Sequence, residues 1–388
     1  MPIINPLTYN IANGQAVDAV PLMADLNQIV SNVNANAAGL SQSNTFASGT
    51  TQNFGSATTL VSGAASGTAQ PVQAQQLAND SLPIHATSGP GATPFALRNR
   101  IINGAMAVDQ RNSGSAQTIT AGAALAYTVD RWWAACTGAN VTGQQVAGPT
   151  GTPYVYQFTG AASVTGIQFG QRIEAYNSAD MAGSEAVLSV ALANSLLTSV
   201  TWAAYYANTP DSFGTLASPT KTQIATGTFT VNGTLTRYQT PIAIPSAATT
   251  GIEIVFSVGA QTSGTWQVGT VQIESVGNNT TNPTVTPFEH RPIGMELALC
   301  QRYYQIVDVS LRTNASGASQ LYSNPVPYNT YMRATPTVGA LISSEATSNA
   351  NSIGIQSAFT MGARFQITSA AAGDCYALSY QYPLSAEL

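Results

Sequence analysis

Two histidines, three cysteines and 17 acidic side chains are what this 388-residue chain has for reactive chemistry. His85 and His290 are far apart, and no Gly-x-Ser-x-Gly elbow supplies a nucleophile for either to activate. His290 falls in Phe-Glu-His-Arg, where a hydrogen bond that supports the fold is expected. Cys136, Cys300 and Cys375 form no CxxC pair and no metal spacing, so they read as buried free thiols. Glycoside cleavage needs two carboxylates facing each other across a cleft. The acid count permits a pair, yet the repeat of a β-helical depolymerase is missing. No EF-hand loop is found either. The chain is therefore read as a non-enzyme, with no catalytic residue, metal site or cofactor assigned.

Binding chemistry is better represented. A sugar site combines a flat aromatic ring with amides or carboxylates for the hydroxyls. Trp202, Tyr205 and Tyr206 run up to Asn208 and Asp211 and could form such a platform, although Trp202 also suits a core. Trp132 and Trp133 are adjacent, so a strand points them to opposite faces. Trp132 is expected in the core, and Trp133 is expected to be more exposed and a binding candidate. Asp130 and Arg131 could pair beside them, which would stabilise little at a surface. Trp266 reads as core. Tyr322, Tyr328, Asn329 and Tyr331 gather around Pro325 and Pro327 in an expected loop, which suits either a receptor contact or a subunit interface.

Composition narrows the class of partner. Charged residues make up 7% of the chain, against about 25% in an average soluble protein. Twelve scattered basic residues form no patch, which argues against nucleic acid and against anionic lipid. Met1–Gln15 lacks a basic start and an apolar run, so no signal peptide is expected. No apolar run reaches the roughly 20 residues of a membrane span. The expectation is a protein made in a cytoplasm that leaves, if it leaves, by a route other than a signal peptide, of which lysis is one, with no membrane insertion.

Four regions position these residues. Residues 1–33 hold a short helix: Asp18 and Pro21 suit its start, and Leu22, Leu26, Ile29 and Val33 follow at heptad spacing. Such a helix needs a partner surface, either its own chain or a parallel bundle of identical subunits. Residues 34–97 are low in complexity, a shaft or linker with a short helix pattern at Pro71–Asn79. Residues 98–291 carry many short alternating strands between turns, as in a jelly-roll sandwich. The strands expected there are Ala126–Trp132, Tyr154–Phe158, Ile167–Ile173, Ala186–Ala191, Ser199–Tyr206, Thr226–Val231, Thr236–Pro241, Ile252–Ser257 and Gly264–Glu274. Residues 292–388 begin with a helix pattern that places Leu297, Cys300 and Tyr304 on one face. A small β domain follows, with strands at Val307–Leu311, Gln320–Tyr322, Thr337–Ile342, Arg364–Thr368 and Cys375–Tyr382. The fold class is mainly β.

Three motifs resemble tail-fibre-like, receptor-binding virion proteins of bacteriophages. The first is Asn13-Gly14-Gln15 with Asp18-Ala19 ahead of the short helix. The second is Asn99, Asn103-Gly104, Met106, Val108 and Gln110-Arg111, followed by Tyr127 and Asp130-Arg131-Trp132. The third is Thr286–Gln305. The resemblance implies an elongated homotrimer that attaches to other virion or tail proteins by its N-terminus. It also implies a carbohydrate-binding-module-like jelly roll directed at a host-surface glycan. In such modules the Asp-Arg-Trp tryptophan is structural, and a structural calcium ion is sometimes held.

Overall fold

The computed structural model describes residues 19–41, 97–277 and 285–388. By its internal contacts the chain divides into two compact units, Met1–Pro71 and Val72–Leu388. The architecture is mainly β.

In the first unit the described element is a helix, α1 (Ala19–Ser41). Pro21 lies in its first turn, where a missing N–H leaves nothing unpaired. The helix continues beyond Val33 through Asn-Ala-Asn-Ala-Ala, because alanine is the strongest helix former. The expected linker thus starts as helix. Leu26 and Val33 are exposed, together with Val20, Met23 and Val30, and Ile29 is half-buried. The side chain of Leu22, the Asn13–Asp18 motif, the expected helix at Pro71–Asn79 and His85 lie outside the described residues.

The second unit opens with a sandwich of twelve strands: β1 (Gln117–Ile119), β2 (Ala126–Tyr127), β3 (Trp132–Thr137), β4 (Val141–Ala147), β5 (Tyr154–Thr159), β6 (Gly166–Ile173), β7 (Glu185–Asn194), β8 (Ser199–Ala207), β9 (Lys221–Thr230), β10 (Thr236–Ala243), β11 (Ile252–Val258) and β12 (Thr265–Gly277). Sheet one has the order β1-β4-β5-β12-β7-β10, and sheet two β2-β3-β6-β11-β8-β9. They enclose one core in a jelly-roll arrangement. Ring stacking runs through it: Trp132 on Phe169 at 4.8 Å, Phe169 on Tyr156 at 5.1 Å and Phe158 on Trp266 at 5.1 Å. Sequence alternation anticipated most of these strands, but not β1 or β4. It also misread Ala126–Trp132 as one strand. The chain turns there, with Arg131 at φ 73°, so that β2 pairs back on β3.

The second motif and the third meet in space and explain each other. Asn99 N donates to Glu289 Oε2 at 2.7 Å, Arg291 Nη1 donates to Ile101 O at 3.0 Å, and Asn103 N donates to Glu296. Asn103 Nδ2 donates to Val108 O (2.7 Å) and Asp130 O (3.0 Å), while its own carbonyl accepts Trp132 Nε1 at 3.0 Å. A Cβ at Gly104 would stand 2.1 Å from Val271 O, so only glycine fits. Asp130 and Arg131 do not pair with each other: the carboxylate accepts Gln110 N at 2.8 Å, and the guanidinium reaches Glu387. His290 is exposed and packs edge-on against Phe288, without the expected hydrogen bond among the described residues.

Helix α2 (Ile293–Gln301) leads into a second, smaller sandwich. Its strands are β13 (Tyr304–Ala315), β14 (Leu321–Pro327), β15 (Thr337–Val338), β16 (Ala346–Ser348), β17 (Ala350–Ala358), β18 (Gly362–Ser369) and β19 (Gly373–Ser385). β19 pairs with β13, β15 and β16, and β18 pairs with β14 and β17. Tyr304 opens β13 and so is not on the helix face. Pro325 and Pro327 belong to β14, not to a loop. Proline is tolerated there because β14 is an edge strand, with one side of its backbone unpaired. Of the expected strand Thr337–Ile342, Thr337–Val338 forms the ladder with β19, and Gly339 N and Ile342 N donate singly to Pro383 O and Gln381 O.

Candidate functional site

Register defines the outer face of sheet two. Trp132, Phe169, Phe256 and Trp202 point into the core, so their neighbours point out. Three rows then cross the strands. The first is Trp133, Gly170, Val255, Ala203 and Thr226. The second is Ala135, Gln168, Ser257, Thr201 and Thr228. The third is Arg172, Glu253, Tyr205 and Gln223. Neighbouring strands lie about 4.8 Å apart, so each row is a regular ladder of side chains.

The rows differ in chemistry. The first is apolar. Trp133 lies across Gly170, where a Cβ would come within 2.6 Å of the indole. Leu125, Tyr127, Tyr205 and Leu216 pack around it. Trp133 is 1% exposed, as buried as Trp132 and not the exposed member of the pair, because apolar side chains pack against its cluster. The third row is charged but internally neutralised. Glu253 accepts Arg172 Nε at 2.8 Å and pairs with Lys221, whose ammonium sits 4.2 Å over the Tyr205 ring.

The second row is the open one. Gln168, Thr201 and Thr228 are exposed and Ser257 half-buried. Among the described residues none of the four side chains has a polar partner. A cleft of about 410 Å³ lies at one end of this row, where Ala135, Gln168 and Ser257 line it; Thr201 and Thr228 lie beyond it. Gly122–Ala123 form one wall and Leu216–Ala217 the other. The arrangement offers two hydroxyl-and-amide faces, donor and acceptor both, beside apolar walls. That is the chemistry of a polyhydroxylated ligand.

The residues singled out in sequence are distributed otherwise. Trp202 is buried in the core against Phe229, and Tyr206 packs on the same core. Tyr205 is on the opposite face, so the three do not form a platform. A bulge between Ala204 and Tyr205 does not reunite them. Asp211, at φ 60°, is a loop residue: its carboxylate accepts Ala175 N at 2.7 Å and lies 3.7 Å from Arg333. Tyr328 is half-buried on the second core, whereas Tyr331 is 63% exposed. Trp133 and Tyr205 do come together, as neighbours in the covered cluster. Gln168, Ser257, Thr201 and Thr228 were missed. Their only sequence signal is a polar residue at the outward position of each strand, which becomes a row only once register is known. Among the described residues no group of three or more His, Cys, Asp or Glu is placed to hold a metal ion. No described helix is long and apolar enough to cross a membrane.

No family model and no curated protein matches the chain. Several solved structures do. The enzymatically active domain of tailspike protein 4 from bacteriophage CBA120 is 17% identical over 46% of this chain, with a TM-score of 0.30; this chain covers 21% of it. A putative sugar binding protein from Bacteroides thetaiotaomicron is 13% identical over 46% of this chain and 99% of its own, with a TM-score of 0.30. A family 11 carbohydrate-binding module from Clostridium thermocellum, in complex with a β-1,3-1,4-mixed-linked tetrasaccharide, is 13% identical over 40% of this chain and 95% of its own, with a TM-score of 0.26.

Proposed function

We propose that the chain is a non-enzymatic structural subunit of a bacteriophage particle, a tail fibre or tail-tip fibre that binds a host-surface glycan in the cleft across sheet two. The observation that carries the glycan reading is the outward row Gln168, Ser257, Thr201 and Thr228, whose side chains have no polar partner among the described residues and whose Gln168 and Ser257 line a cleft. Glu253, the carboxylate in the neighbouring row, is fully buried and already paired with Arg172 and Lys221. The virion reading is supported by the three motifs and their order along the chain. In this reading the N-terminal segment attaches to other virion proteins, and the protein goes from the host cytoplasm into the particle. A homotrimer is supported by the apolar stripe that α1 leaves exposed, and by exposed Leu321, Phe359 and Met361 on the second sandwich. Three weak sites on one fibre then add through effective concentration.

A purely architectural role, without ligand, is favoured by a different feature. Pro325, Pro327, Phe359 and Met361 line an apolar hollow of about 770 Å³ on the second sandwich, a surface suited to another protein. Binding of the labelled full-length protein to intact host cells separates the two readings. Saturable binding that free surface glycan competes away supports the adhesin. Absence of binding from a folded protein to every susceptible host supports the architectural part.

A further inference from the structure

A buried arginine, Arg131, and a half-buried one, Arg111, both of the first sandwich, converge on one carboxylate that arrives from the second. Arg111 Nη2 lies 2.9 Å from Glu387 Oε1, and Arg131 Nη1 pairs with Glu387 Oε2. Arg131 is 1% exposed and lies 3.4 Å over the Tyr303 ring; Arg111 lies 3.7 Å over Tyr304. Both Nε atoms are buried without an acceptor. Asp130 is also near Arg111, but its carboxylate is engaged by Gln110. Glu387 therefore supplies the direct countercharge to both guanidiniums. The segment that bears it follows β19 and is held again at Leu388 O, which accepts Tyr127 Oη and Arg172 Nη1, each at 2.8 Å.

Other ion pairs across the same joint are more open or longer. Arg302, paired with Glu174, is 37% exposed, and Arg333 stands 3.7 Å from Asp211. Without Glu387, two desolvated like charges would face each other, and rehydrating them requires the joint to part. Beneath this triad lies the joint core, with Cys300 fully buried among Ile102, Val108, Tyr303 and Leu388.

We propose that Arg111 and Arg131 form a carboxylate-binding site whose occupant in this chain is Glu387, and that this occupancy latches the second sandwich onto the first. The ligand class is a carboxylate on a short, flexible stem, gripped by two guanidiniums stacked on tyrosines. The three thiols report on it separately, because Cys136 belongs to the first core, Cys375 to the second and Cys300 to the joint. The experiment is iodoacetamide labelling of native Glu387→Ala, resolved by residue with mass spectrometry. Cys300 should react roughly tenfold faster than in the wild type, with Cys136 and Cys375 unchanged. Acetate should restore the protection of Cys300 better than chloride at equal ionic strength, because it refills the space between the guanidiniums. The proposal is overturned if Cys300 stays protected, if all three thiols become reactive together, or if acetate does no better than chloride.

Discussion

Burial pushes the Asp130 carboxyl from 3.8 up to about 6, while the Gln110 N–H and Arg111 pull the other way. The folded protein therefore holds this proton more tightly than the unfolded chain does. The stabilisation from protonating it is complete below pH 3.8 and lost as pH rises through 6. Its size is about 3 kcal/mol. Asp130→Asn keeps an oxygen for the Gln110 N–H and removes the titration. Urea unfolding of the variant should show a flatter pH dependence between 4 and 6, and higher stability than the wild type at pH 7. An unchanged slope would mean that Asp130 is hydrated. The motif containing Asp130 was plain in the sequence as a pattern, but not its cause. Asn99 and Gly104 are constrained by the Val271 carbonyl and Asn103 by the Glu296 carboxylate, residues far along the chain, and no local signal carries that information.

Element identity was largely legible, and element faces only partly. The strands at Ile167–Ile173 and Ile252–Ser257 follow from alternation, since inward Phe169 and Phe256 interleave with outward polar or small residues. Trp133 shows where alternation stops: it gives the direction of a side chain, but not the outer cluster with Leu125, Tyr127, Tyr205 and Leu216 that buries it. The failures at β1, β4, β16 and β17 are runs rich in Gln, Ser, Thr and Gly, where no hydrophobic period marks a strand. For α1 the alanine-rich extension past Val33 was missed, although alanine's helix propensity was a signal for it, and the partner of its apolar stripe left no signal. A trimer built on that stripe predicts that Leu26→Asp lowers the solution mass from trimer to monomer in light scattering, while the tryptophan fluorescence of the sandwich stays native. A trimeric mass for the variant would shift the assembly to the second sandwich, with Leu321, Phe359 and Met361.

At the scale of the molecule, the scarcity of charge acquires a use. All basic residues except Arg237 and Arg364 have an acidic partner within 4.0 Å. Most of these pairs tie segments distant in sequence, such as Arg131 with Glu387 and Arg302 with Glu174. The surface is left to amides and hydroxyls, and across sheet two they align as the polar row. Low charge was visible in the composition, and the mainly β class with its jelly roll followed from strand count and turns. The cleft was not visible, because it depends on the pairing of β3, β6 and β11 and on the loops that carry Gly122–Ala123 and Leu216–Ala217.

The central claim is that this row is the glycan-contacting surface. Its most direct test compares wild-type protein with the Gln168→Ala/Ser257→Ala double variant in equilibrium binding to susceptible host cells. Loss of two hydrogen-bonding groups at about 1 kcal/mol each should weaken binding per site by roughly thirtyfold, with the thermal midpoint nearly unchanged. Wild-type affinity in the folded double variant would contradict the account and place host contact elsewhere on the molecule.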